Sequence, residues 1–150
     1  MSIRSALLPI LLAVPLAAAA QSGSLWHYQF NQGVGEYSTG TWDSTTGGAL
    51  AISCRGDGSV SIAAQIKGQA PPAGSHLRLT VSSRSGSRES SFPTDGQGSA
   101  VVASHGNPAF QKLWANLRAG DIVTLRYADG RTNVQSLAGA ARTLPAKPCG

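Results

Sequence analysis

The stretch LAISCRGDGSVSIAAQI, Leu50 to Ile66, decides how this chain folds. Leu50, Ile52 and Cys54 fall on one face, and Ala51, Ser53 and Arg55 on the other. After Gly56-Asp57-Gly58 the alternation resumes, with Val60, Ile62, Ala64 and Ile66 set against Ser61, Ala63, Gln65 and Lys67. A period of two marks a half-buried strand, because successive side chains point to opposite faces of a sheet. Asp-Gly between two such runs closes a hairpin. The triplet Arg55-Gly56-Asp57 therefore reads as a strand end and a turn, and not as an adhesion motif.

The same pattern extends outward. Leu77, Leu79 and Val81 alternate with Arg78, Thr80 and Ser82; Trp26, Tyr28 and Phe30 alternate with His27 and Gln29. A second strand is expected from Glu36 to Asp43, weakened by Gly40. Gln69 to Ser75 is a Pro/Gly loop. The polar segment from Ser83 to Gly98 reads as a short hairpin around Ser85-Gly86 followed by a mobile loop. Ala100 to Ser104, Ile122 to Tyr127 and Thr132 to Leu137 complete the strands, the last two joined by Asp129-Gly130.

One amphipathic helix is expected over about 108–119. Asn107 suits the N-cap, Pro108 the first turn and Gly120 the position just past the end. Phe110, Leu113, Trp114 and Leu117 form one apolar stripe at i, i+3, i+4 and i+7. A short helix over about 138–144 ends at Pro145. Antiparallel strands with two small helices predict a mainly β protein, an antiparallel β-sandwich or flattened barrel with the helices closing an end or an edge.

Residues 1–20 read as a secretory signal peptide: Arg4, an apolar run from Ala6 to Leu16, then Ala18 and Ala20 before a cut at Gln21. The run is shorter than the roughly 20 residues a bilayer span needs, and Pro9 and Pro15 interrupt it. Residues 21–150 then form a single β-rich domain, periplasmic or secreted, with no later segment apolar enough to span a membrane. The net charge of the chain is +5, and the charges are dispersed. No basic stripe with interleaved aromatics marks a nucleic-acid surface.

Export bears on the two cysteines. In an oxidising compartment two cysteines with no third to compete are expected to pair. Neither Cys54 nor Cys149 has a CxxC or a histidine cluster beside it, so metal ligation is the weaker reading. The bridge would close a loop of about 95 residues, which the chain-entropy model values at about 4–5 kcal/mol.

Chemistry-bearing constellations are sparse. GDGSV and GQGSA lack the last glycine of a nucleophile elbow. His27, His76 and His105 are scattered, and Asp57, Asp121 and Asp129 have turn explanations. A hydrolase would have to draw on His27, Glu36 and Asp43. The expectation is a protein without enzymatic activity and without a cofactor.

The segment FQKLWANLRAGDIVTLRYADGRTNVQSLAGAARTLPAKPC, Phe110 to Cys149, resembles the closing segment of small exported bacterial proteins of the invasion-associated locus B type. It is also similar to type VI secretion-associated periplasmic accessory proteins, which often carry an early Trp and a mid-chain strand ending in Cys, matched by Trp26 and by LAISCR at Leu50 to Arg55. The resemblance implies a β-sandwich that works by contact, with no cofactor and no transferable site residue.

The resulting expectation is an exported, envelope-associated binding or accessory protein. Its partner would be an envelope protein or an anionic glycan, met at a surface drawn from Trp26, Tyr28, Tyr37, Trp42, Arg84 and Arg88. The alternative is a secreted inhibitor of a hydrolase, using the Ser83 to Gly98 loop. The third reading is an uncharacterised hydrolase.

Overall fold

The structure, a computed structural model, describes residues 26–150. The signal peptide expected over 1–20 lies outside the described residues. Nine strands and two helices follow in chain order: β1 (His27–Asn31), β2 (Val34–Gly40), β3 (Gly48–Arg55), β4 (Val60–Ile66), β5 (His76–Ser83), β6 (Gly86–Pro93), β7 (Ala100–Val102), α1 (Pro108–Ala119), β8 (Ile122–Tyr127), β9 (Thr132–Ser136) and α2 (Ala140–Thr143). One antiparallel sheet has the order β1-β2-β3-β4-β7, and the other has the order β6-β5-β8-β9. The fold is a β-sandwich, and neither sheet closes into a barrel.

The quoted hairpin lies at the centre of the first sheet. Cys54 pairs with Val60, Ile52 with Ile62 and Leu50 with Ala64, so both alternating faces coincide. A one-residue slip would turn all of these side chains outward, which pins the register. Gly58 holds φ +85° in the turn, and Asp57 Oδ1 accepts from Ser59 N at 2.8 Å. Leu50, Ile52, Ile62 and Ile66 then meet Leu77, Leu79, Val123 and Leu125 of the second sheet in one core. Ala49 and Ala51, on the face expected to meet solvent, are buried too. They are small side chains on a central strand, flanked by β2 and β4.

Helix α1 has the predicted bounds. Asn107 Oδ1 accepts from the N–H groups of Ala109 and Phe110, and Phe110, Leu113, Trp114 and Leu117 are all buried. Gly120 departs from its expected role. Its φ of −85° is open to any residue, but a Cβ there would lie 2.3 Å from Val81 Cγ1 and 2.9 Å from Leu137 Cδ1. The glycine serves close approach of the helix end to the second sheet, not a left-handed cap.

The expected hairpin around Ser85-Gly86 is present, and its second strand is longer than expected: Gly86 to Pro93 pairs with β5 along its whole length. The extent of β6 was not legible because it is an edge strand with mostly polar, exposed side chains; Phe92 is its buried anchor. The turn that follows is tied down as well. Asp95 Oδ1 accepts from Gln97 N and Ser99 N, and Thr94 Oγ1 donates to Pro72 O at 2.9 Å.

Trp114→Ala should lower unfolding free energy by about 3–5 kcal/mol, the usual effect of emptying a buried aromatic site. Gly120→Ala should lower it by about 1–3 kcal/mol through overpacking. Denaturant titration measures both, and midpoints equal to that of the parent would refute the packing described.

Candidate functional site: an aromatic groove at the edge strand

The first sheet is one strand wider than the second, and β1 is the strand that the second sheet leaves uncovered. All five β1 residues are exposed. Tyr28 pairs with Tyr37 and Phe30 with Gly35, which places both β1 aromatics on the face that elsewhere carries the core. The aromatic contacts run inward from there. Tyr28 lies 4.7 Å from Tyr37 between ring centroids, and Tyr37 meets Trp114 edge-on at 5.1 Å. Phe110 packs on Trp114 at 5.7 Å. Gly35 leaves room for the Tyr28 ring, since a Cβ at that position would lie 3.2 Å from the phenol oxygen.

The C-terminal segment forms the opposing wall. Cys54 and Cys149 are joined by a disulfide, with Cα atoms 5.6 Å apart. The Trp114 indole N–H donates to Pro145 O at 2.8 Å, Arg118 Nε donates to Leu144 O at 3.0 Å, and Thr143 Oγ1 donates to Trp26 O at 3.3 Å. Ala140 and Leu144 are fully buried. The segment is thus anchored by a covalent bond, three hydrogen bonds and two apolar plugs. Between it and β1 lies an open groove of about 590 Å³, bordered by Trp26, Tyr28, Tyr37, Arg142, Thr143 and Pro145 among others. His27 and Arg142 are its basic side chains; among the described residues no carboxylate side chain lines it, and Gly150 completes the border.

The six residues expected at a contact surface divide. Trp26 and Tyr37 are only 5% and 6% exposed and belong to the core, which corrects that expectation for both. Tyr37 is covered by the rings of Tyr28 and Trp114, and Trp26 is met by α2, whose Thr143 hydroxyl donates to its carbonyl. Burial, with the neighbouring Tyr28 phenol second, pushes the Tyr37 hydroxyl above its ordinary pKa. Tyr28 is 53% exposed at the groove, and Trp42 is exposed in the β2–β3 loop. Arg84 and Arg88 are exposed around the β5–β6 turn, where Arg88 borders a cleft of about 150 Å³ with Asn116 and Gly120. The structure does not gather the six into one patch. Phe30, two residues beyond Tyr28 on the same face, is 68% exposed and joins it at the surface. The Trp26 indole N–H is shielded from solvent and has no acceptor among the described residues. A buried donor left in that state costs about 1–3 kcal/mol.

Of the residues that a hydrolase would use, His27 and Glu36 lie in adjacent rows on the outer face of the β1–β2 pair, and Asp43 lies in the loop beyond β2. Glu36 accepts from Gln29 Nε2 and Ser53 Oγ, whereas Asp43 is held by Gln65 through a backbone and a side-chain bond. His76 and His105 lie elsewhere, at the start of β5 and beside the Gly58 turn. Among the described residues no three His, Cys, Asp or Glu side chains cluster as metal ligands.

A disulfide-bonded β-sandwich with an uncovered aromatic edge strand is the class that this geometry defines. Residues 24–144 match the family model YfjT, and the chain belongs to the YfjT family. No curated protein and no solved structure matches the chain.

Tyr37→Ala should lower unfolding free energy by about 3–5 kcal/mol, as for other buried aromatics. Tyr28→Ala should lower it by about 1 kcal/mol or less, the worth of one exposed aromatic pair. Chemical denaturation of the two variants checks the division between core and surface, and equal losses would refute it.

Proposed function

We propose that this chain is an exported binding protein of the cell envelope, which takes an extended protein segment along β1 and into the adjoining groove. The observation that carries this reading is the exposure of Tyr28 and Phe30 on an edge strand that is unpaired on its outer side among the described residues. Natural sheets blunt their edges with charge, proline, bulges or a covering element. Here the edge presents two aromatic rings instead, the arrangement used where a partner adds a strand. Backbone ladder bonds would supply affinity, and the rings would act as anchors. His27 and Arg142, which border the groove, favour an acidic side chain in the incoming segment.

Export is supported by the Cys54–Cys149 bond, since structural disulfides persist in oxidising compartments. The leader-like residues 1–20 support it as well. The resemblance of Phe110 to Cys149 to exported accessory proteins of the locus B and type VI secretion-associated kinds points the same way. Among the described residues no helix is long and apolar enough to cross a membrane.

The test is selection from a displayed library of linear peptides against the oxidised protein, followed by nuclear magnetic resonance mapping. Selected peptides should perturb the β1 amides and the Trp26 indole N–H. Tyr28→Ala and Phe30→Ala should each weaken binding about tenfold or more, the loss of an aromatic anchor. Peptides that map to another surface, or that bind both variants as tightly as the parent, would overturn the proposal.

A further inference from the structure

The outer face of the second sheet carries a feature that the groove does not explain. Arg78 on β5 pairs directly with Arg126 on β8. Directly opposed like charges disfavour a sheet, because their side chains leave adjacent strands about 5 Å apart on the same face. Such pairs are ordinarily offset by a neighbouring carboxylate. Here, among the described residues, the one ion pair is Arg131 with Asp129, and neither the Arg78 nor the Arg126 guanidinium has a hydrogen-bond partner. Glu89 is the carboxylate nearest by register, opposite Thr80 and one row away, and it makes no ion pair. The row continues outward through Ser91 on one side and Thr132 on the other. Four strands therefore present hydroxyl, guanidinium, guanidinium, hydroxyl in line.

The two arginines also border a hollow of about 290 Å³, completed by His76, Tyr127, Ala128 and Gly130. The floor is rigid. Tyr127 is buried, and its hydroxyl donates to Gln69 O at 2.9 Å; burial keeps that hydroxyl protonated well past the ordinary tyrosine range. The adjacent Arg131 is occupied by Asp129, by Gln69 and by the face of the Tyr127 ring. It leaves the hollow to the two unengaged guanidiniums.

We propose that Arg78 and Arg126 form a binding site for an oxyanion substituent of an acidic polysaccharide. A carboxylate, sulfate or phosphate seated between the two forks accepts from both and removes their mutual repulsion. The hollow is wide enough for one such group, and Ser91 and Thr132 offer hydroxyl contacts to the sugar on either side. The flat polar row suits a glycan chain lying across the strands. This site is separate from the β1 groove and stands if that reading fails.

The test uses a galacturonate oligomer, a neutral galactose oligomer of the same length, inorganic sulfate and a polyglutamate peptide, each titrated calorimetrically at about 0.15 M salt, where the Debye length is about 8 Å. The galacturonate oligomer should bind, and the neutral oligomer should not. Arg78→Gln and Arg126→Gln should each reduce affinity about tenfold or more, as expected for charge-assisted bonds. Arg84→Gln and Arg88→Gln remove the same charge elsewhere and should change affinity less than about twofold, since exposed charges beyond a Debye length are screened. Tyr28→Ala should leave this binding unchanged. Without ligand, the thermal midpoints of Arg78→Gln and Arg126→Gln should equal or exceed that of the parent, because a like-charge contact is gone. Equal losses in all four arginine variants would show a diffuse field and overturn the site. Polyglutamate binding as tightly as the galacturonate oligomer would overturn the glycan assignment, and so would sulfate binding as tightly. Lowered midpoints in both site variants would assign the arginines to the fold instead.

Discussion

The bond between Cys54 and Cys149 is the constraint on which the shape of this molecule depends. It joins the end of a central strand to the C-terminal segment across a sequence separation of 95 residues. Everything between Leu137 and that bond is held on a path that no regular sheet enforces. With the path fixed, Leu144 and Ala140 enter the core, the Trp114 N–H finds Pro145 O, and Arg118 finds Leu144 O. The core on the Tyr37 side is closed by this segment and by α1, since the second sheet does not reach that far. Closure of the core and construction of the groove are therefore one event.

Two surfaces follow from this architecture, on different sheets and with different chemistry. At β1 the first sheet extends past the second, so aromatic side chains of the core-facing row emerge into solvent and meet a wall made by the anchored segment. On the outer face of the second sheet, β5 and β8 align two arginines with no carboxylate to offset them. An accessory protein that holds an extended chain at one surface and an acidic glycan at the other would place its protein partner beside the envelope matrix.

Much of the fold was legible in the sequence because its signals are local. Alternation fixed the β3–β4 hairpin, the Asp57-Gly58 turn and the inner faces of β5 and β8. Asn107, Pro108 and the Phe110–Leu117 stripe set α1 to the residue. The bridge was legible from cysteine count and from the leader-like composition of residues 1–20. What escaped depends on tertiary placement. The polar alternation of β6 carries no hydrophobic signal, because an edge strand with one exposed face needs little beyond Phe92. Trp26, Tyr28 and Phe30 look equivalent in the sequence, yet Trp26 is buried and the other two are not. The difference is set by α2 and the following segment, whose path is fixed by residues far along the chain. The pairing of Arg78 with Arg126 arises only from β5–β8 register across two intervening strands, a helix and loops, so no short-range pattern announces it.

The central claim is that the disulfide-held segment closes the core and walls the groove. Residue-resolved amide hydrogen exchange on the oxidised and the gently reduced protein tests it most directly. On reduction, the Arg142, Thr143 and Leu144 amides and the Trp114 indole N–H should lose protection first, with β1 and β2 following, while the paired amides of β5 and β8 stay protected. Unchanged protection at Leu144 and Trp114 after reduction, or a uniform loss across both sheets, would contradict the account.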